Sequence, residues 1–247
     1  MIGAASSAGL SIRTLGEVSL WKEGRRITGL RSTKAIALLV YLAETGHLHR
    51  RSSLAGLLWT DRGEAAARNN LRQALTALRK VIPEHLLVDG DQVGLTGNYA
   101  IDTRPITPDR YCGDFLAGLD VPDAELFDEW VQRTRTAHAM VAVSVLEKAA
   151  TRALEDGDSA AGLAAAHRIL ELEPWNETGH RLVMQLLAAE GRVPEAVEQY
   201  DRCAGILRDE LGVEPAEATQ ALLAAVEAGA SAGSVPSEPL PLTVPTT

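Results

Sequence analysis

The sequence predicts a mainly α-helical chain with a small antiparallel β component, and three observations carry that expectation. Apolar residues recur at helical spacing over most of the 247 positions. Short alternating runs bounded by glycine turns occur only near the N-terminus and around Leu86–Leu95. The character of the chain also changes near residue 108, from basic and mixed to acidic and alanine-rich.

Leu10–Ile27 alternates loosely between apolar and polar, with Gly16 and Glu23-Gly24 as turn signals, which predicts two or three short strands. Trp21 and Ile27 are expected to face each other across that turn. A helix follows, with Ile36, Leu39, Val40 and Ala43 on one face, Ser32 or Thr33 as its cap and Gly46 as its stop. A second helix spans Ser52–Leu58, and Trp59 ends it. A third runs from Glu64 to Val81, closed by Pro83. Leu86–Val88 and Gln92–Leu95 flank Asp89-Gly90-Asp91, a hairpin signal. Small sheet, three helices and hairpin, in that order, predict a winged helix-turn-helix.

The third helix carries the chemistry. Leu71, Leu75, Leu78 and Ile82 form one apolar stripe, and the opposite face carries Asn69, Gln73, Thr76 and Lys80, with Arg72 at its edge and Arg68 and Arg79 nearer the stripe. Asn, Gln and Arg are the side chains able to form paired hydrogen bonds with adenine or guanine edges, and a lone helix fits the major groove. Arg50, Arg51 and Arg62 flank the turn, where phosphates would lie. The competing reading of such a face is plain solvation, and for Arg68 and Arg79 a structural ion pair. Charge distribution favours the polyanion: residues 10–97 hold 13 Lys and Arg against 8 Asp and Glu, although the whole chain has a net charge of −9.

Beyond residue 108, helical spacing covers Asp128–Glu155, Ser159–Leu172, Asn176–Glu190, Val193–Leu211 and Ala216–Gly229, broken by Gly157, Pro174, Gly191 and Gly212-Val213-Glu214-Pro215. A shift of about 34 residues, the tetratricopeptide period, places Gly157 on Gly191, Leu163 on Val197 and Leu154 on Ala188. Two degenerate repeats with flanking helices are therefore expected, stacked into an all-α surface for another protein. The bland alternative is a helical spacer. The expected organisation is a flexible start (1–9), a winged-helix module (10–97), a linker (98–107), a tetratricopeptide-like domain (108–229) and a disordered tail rich in Ser and Pro (230–247).

The sequence resembles the Streptomyces antibiotic regulatory proteins, transcriptional activators that join an OmpR-like winged helix to a bacterial transcriptional activator domain. The resemblance rests on Leu57-Leu58-Trp59, Ala67-Arg68-Asn69-Asn70-Leu71-Arg72-Gln73-Ala74-Leu75 and Leu78-Arg79-Lys80 in the first module. In the second it rests on Tyr111–Leu116, Glu129-Trp130, Glu173-Pro174 with Glu177, Gly191-Arg192 with Ala196 and Tyr200, and Leu211–Pro215. The resemblance implies binding to double-stranded promoter DNA at direct repeats near the −35 element and recruitment of RNA polymerase through its sigma factor, with other polymerase subunits as further partners. It also implies self-association on DNA repeats and control of antibiotic biosynthesis genes. By the same resemblance Asn69, Asn70, Arg72, Gln73, Thr76 and Lys80 read the major groove, and the hairpin is a wing on the adjacent minor groove. The acidic tip Asp89-Gly90-Asp91 departs from that pattern: either it points away from phosphates or the wing contributes little.

Larger relatives continue into a nucleotide-binding module. This sequence has no GxxxxGK[ST] loop and reads as a small stand-alone member. Receiver-type phosphoacceptor signatures are absent, which argues against control by aspartyl phosphorylation within the chain. HExxH, GxSxG and GxGxxG are also absent, and neither cysteine, Cys112 or Cys203, sits in a zinc pattern, so no catalytic role, cofactor or metal is expected. His47 and His49 stand two apart in a loop, a spacing met more often in solvated loops than in metal sites. No apolar run reaches the length of a membrane span and no secretory signal opens the chain, so a cytoplasmic, nucleoid-associated protein is expected. The alternative function is a tetratricopeptide-like adaptor whose basic first module reads no DNA. A small-molecule sensor is a third class, for which the sequence names no convergent pocket.

Overall fold

A computed structural model describes residues 9–233 and divides the chain into two compact units, Met1–Val145 and Leu146–Thr247. Residues 1–8 of the expected flexible start and 234–247 of the expected tail lie outside the described residues, whereas 230–233, expected in the tail, close the last helix.

In the first unit, β1 (Leu10–Arg13) pairs antiparallel with β2 (Ser19–Lys22), which pairs with β3 (Arg25–Arg26). Glu23 and Gly24 both adopt left-handed φ, 50° and 76°, so the two-residue turn sets Lys22 against Arg25 and Trp21 against Arg26. Trp21 therefore faces Arg26 and not Ile27 as expected; Ile27 lies one position further on, and its N–H donates to the Leu20 carbonyl. α1 (Thr33–Thr45) starts at Ser32, whose Oγ accepts from the Ala35 N–H, and stops at left-handed Gly46. It is buried through Ala35, Leu38, Leu39 and Leu42.

Two residues, His49–Arg50, form β4, and α2 (Arg51–Leu58) follows at once. α3 spans Glu64–Val81. β5 (Leu86–Asp89) and β6 (Gln92–Leu95) make the expected hairpin, and β4 adds to β6, giving a three-stranded sheet of order β4-β6-β5. The N-terminal half of the unit is thus the winged helix-turn-helix that the sequence predicts.

The segment expected as a linker is structured. Tyr99–Ile101 forms β7, parallel to β1, and completes a sheet of order β3-β2-β1-β7. Just after it, the Asp102 carboxylate accepts from the Thr14 N–H at 2.9 Å, the Thr14 hydroxyl at 2.8 Å and the Leu15 N–H at 3.0 Å. Phe115 and Leu116 enter the same core, bridged to Leu15 and Thr14. The first unit therefore continues past the expected boundary, because β1 needs a second neighbour and Tyr111, Phe115, Phe127 and Trp130 supply its aromatic filling. The division between units falls inside α4 (Glu125–Asp156).

The second unit stacks α5 (Ser159–Leu172), α6 (Glu177–Ala189), α7 (Val193–Ile206) and α8 (Glu217–Gly233). A π-helical turn, Leu207–Leu211, ends the stretch expected as one helix from Val193. The repeat is visible in backbone geometry. Gly157 and Gly191 are both left-handed, and Asp158 N–H donates to the Ala153 carbonyl as Arg192 N–H does to that of Leu187. Helices approach closely where Gly162 meets Leu186 and Gly179 meets Ile169. Glu177 ties α6 to α8, accepting from the Ala216 N–H and the Thr219 hydroxyl.

Candidate nucleic-acid interface

α3 is amphipathic in the way a groove-reading helix must be. Ala67, Leu71, Ala74, Leu75 and Leu78 are buried beneath it, with Ile82 beyond its end. Glu64 opens the helix and Arg79 and Lys80 close it, the charge order that the helix dipole favours. This buried stripe leaves the opposite side without protein cover. Arg68, Asn69, Arg72, Gln73, Thr76, Arg79 and Lys80 are exposed and Asn70 is half-buried.

At about 100° per residue, Asn69, Thr76 and Lys80 crown the helix. Arg68, Arg72 and Arg79 follow one flank, and Asn70, Gln73 and Ala77 follow the other. Arg68 pairs with Glu64 one turn back, and Arg72 Nη2 donates to Asn69 Oδ1. The Thr76 hydroxyl donates to the Arg72 carbonyl at 2.8 Å, leaving its lone pairs outward. Arg79 and Lys80 have no ion pair among the described residues, so the structural pairing considered for Arg79 does not form there. The pairs that Arg68 and Arg72 do make are solvent-exposed and exchange readily for a ligand's acceptors.

The cations around the turn differ among themselves. Arg50 is exposed at the start of α2, and its β4 position pairs with Gln92. Arg51 is half-buried; its backbone N–H donates to the Asp91 carbonyl at 2.8 Å, and its buried Nε has no hydrogen-bond partner. Arg62 is engaged by two carboxylates, Asp61 at 3.3 Å and Asp123 at 3.9 Å, the second of them far along the chain. The wing tip is held against the start of α2 through the Asp91–Arg51 bond, with both tip carboxylates exposed.

Sequence reasoning missed one part of this face. Lys34 donates to the Leu58 carbonyl at 2.7 Å and the Asp123 carbonyl at 3.3 Å and stands 5.4 Å above the Trp59 ring. Burial pulls its ammonium pKa below the ordinary lysine value, with Asp123 and Asp61 opposing that shift. Lys34, Ser32, Trp59, Asn70, Gln73, Ala74 and Ala77 line a cavity of about 350 Å³. The only signal in the sequence is a lysine placed just after the expected cap, Ser32 or Thr33, at the start of α1.

Elsewhere, His47 and His49 lie with ring centroids 4.1 Å apart, but His49 Nε2 is taken up by the Thr45 hydroxyl at 2.7 Å. No cluster of three or more metal-binding side chains occurs among the described residues, and no described helix is long and apolar enough to cross a membrane. In the second unit a further cavity of about 350 Å³ is lined by His167, Leu170, Pro174, His180, Arg202 and Ile206, among others, a pocket that the sequence did not reveal.

Residues 108–227 match the family of the bacterial transcriptional activator domain. The regulatory protein AfsR of Streptomyces coelicolor is 25% identical over 250 residues, covering 87% of this chain and 24% of AfsR. The chain thus spans about a quarter of that relative's length. Among solved structures, Mycobacterium tuberculosis EmbR, determined in complex with a low-affinity phosphopeptide, shares the fold with a TM-score of 0.68 at 16% identity, covering 90% of this chain and 66% of EmbR's.

Proposed function

We propose that the chain, whose residues 108–227 match the bacterial transcriptional activator domain and which is similar to AfsR over most of its length, is a sequence-specific transcriptional activator of the Streptomyces antibiotic regulatory protein type that reads double-stranded promoter DNA with α3. The observation that carries this reading is the exposed face of Asn69, Gln73, Thr76 and Lys80 over a stripe of buried leucines. An amphipathic helix whose core face is satisfied fixes the backbone positions of its amides and guanidinium groups, so the ordering cost of bonding to base edges falls on the side chains alone.

The parts divide by chemistry. Asn69, Asn70, Arg72, Gln73 and Thr76 read bases. Lys80, Arg68, Arg79, Arg50 and Arg51 meet phosphates and set register without specifying sequence. Arg62 joins them only by leaving Asp61 and Asp123. The family resemblance supports the finer assignments: direct repeats near the −35 element, self-association on them, recruitment of RNA polymerase through its sigma factor by the acidic helical unit, control of a biosynthetic gene cluster, and residence in the cytoplasm at the nucleoid.

Gel-shift titration of the full chain against duplexes enriched from a random pool, and against scrambled versions, tests the reading. The expected result is preference for the enriched sequence and an affinity that falls steeply with salt. Equal, salt-insensitive binding, or none, removes the reading and leaves a protein-binding adaptor.

A further inference from the structure

One flank of α3 is walled by the chain that leads into α1. A Cβ placed on Gly29 would lie 3.8 Å from Val81 Cγ1, so this segment starts against the C-terminal end of α3. Further along it, Ser32 and Lys34 stand across the cavity from Ala77, Ala74, Gln73 and Asn70, and Trp59 closes the far end. Small side chains at positions 74 and 77 leave the floor open. Arg31 and Thr33, the sequence neighbours of Ser32, are exposed, and Arg31 has no ion pair among the described residues.

The charges around the cavity sort by side. Asp61 and Asp123 lie close enough to act on Lys34, but Arg62 stands on both. Arg31 and the remaining N–H of Lys34 are therefore the cationic groups left for a ligand. A helix in the major groove has a phosphodiester strand on each side. Arg68 and Arg79 face one strand, and the cavity lies on the flank that faces the other.

We propose that this cleft is a backbone-phosphate seat for the bound duplex, on the strand opposite Arg68 and Arg79, with Arg31 and Lys34 as donors. The seat rests on the reading of α3 as the groove helix. It adds to that reading a second line of phosphate contact, which fixes the roll of the helix in the groove and so decides which crown residues meet which bases.

The test uses fluorescence anisotropy with the full chain, an enriched duplex and an unrelated duplex, over a salt series. Arg31→Gln is expected to reduce the slope of log affinity against log salt by about one on both duplexes. Ala77→Glu, which sets a carboxylate in the cleft, is expected to weaken both by about tenfold or more, with thermal unfolding unchanged. A duplex carrying a neutral methylphosphonate at the seated position should bind the parent chain more weakly and Arg31→Gln no more weakly than before. If both variants bind like the parent while Arg72→Ala still loses sequence preference, the cleft is no phosphate seat and the reading of α3 stands. If the parent binds no duplex, both fall together.

Discussion

Gln199 donates a hydrogen bond to Nδ1 of His180 across 2.6 Å, while His180 gives its own Nε2 hydrogen to the Pro174 carbonyl at 2.9 Å. Both residues are buried, and the Gln199 Oε1 is held by Arg202 at 3.2 Å, which fixes the orientation of the amide. The network thus selects the neutral Nε2–H imidazole. A second proton on Nδ1 would face an amide N–H. Burial accordingly pushes the His180 pKa below the ordinary histidine value, the nearby Arg202 acting the same way.

The sign of the resulting pH dependence follows. Below about pH 6.5 the unfolded imidazole takes up a proton that the folded one refuses, so stability declines on acidification until the folded group also titrates. The second unit should unfold at lower temperature at pH 5.5 than at pH 7.5, as followed by circular dichroism. In His180→Gln that difference should shrink. An undiminished difference in the variant assigns the acid sensitivity to other groups.

Glu44 produces a separate window. Its carboxylate accepts from the Thr103 hydroxyl at 2.7 Å and faces His138 Nε2 at 3.0 Å, and these partners outweigh burial and hold its pKa below the ordinary glutamate value. The stability that this carboxylate contributes is present above about pH 4.5 and lost as pH falls through its depressed pKa. Glu44→Gln should flatten the acid limb of the melting profile below pH 4.5 and leave the histidine window in place.

Asp102→Ala removes the acceptor for two backbone N–H groups and the buried Thr14 hydroxyl at once. Loss of about 1–3 kcal/mol of stability is expected in denaturant unfolding of the first unit. A change within a few tenths would show that residues 98–107 do behave as a linker.

This segment marks where the sequence stops being legible. The bounds of α3 and the stripe from Leu71 to Ile82 are readable because a long amphipathic period repeats itself, and the Asp89-Gly90-Asp91 turn because its backbone demands are local. β4 and β7 have two and three residues, too few to show a period, and they exist only through partners contributed by β6 and β1. The engagement of Arg62 by Asp123 is equally hidden, since nothing local to the turn predicts a carboxylate arriving from so far along the chain. The candidate reading face was visible as residue types on one helix. The wall that α1 builds beside it was not, because it depends on how two helices pack.

Arg50 and Arg62 should behave differently although both are exposed cations near the turn. Arg50→Ala is expected to weaken binding to every duplex and lower the salt slope by about one. Arg62→Ala should change it less, because Asp61 and Asp123 already hold that guanidinium. Equal slopes for both variants would show that Arg62 abandons its carboxylates for phosphate.

The central claim is that the crown of α3 lies in the major groove with Arg72 on a base edge. Methylation protection at guanine N7, which lies only in the major groove, measures this directly on an enriched duplex bound by the full chain. The expected pattern is a short run of protected guanines, with one position regaining reactivity in Arg72→Ala while the others stay protected. Undiminished N7 reactivity across the bound duplex, or an identical pattern in the variant, would contradict it.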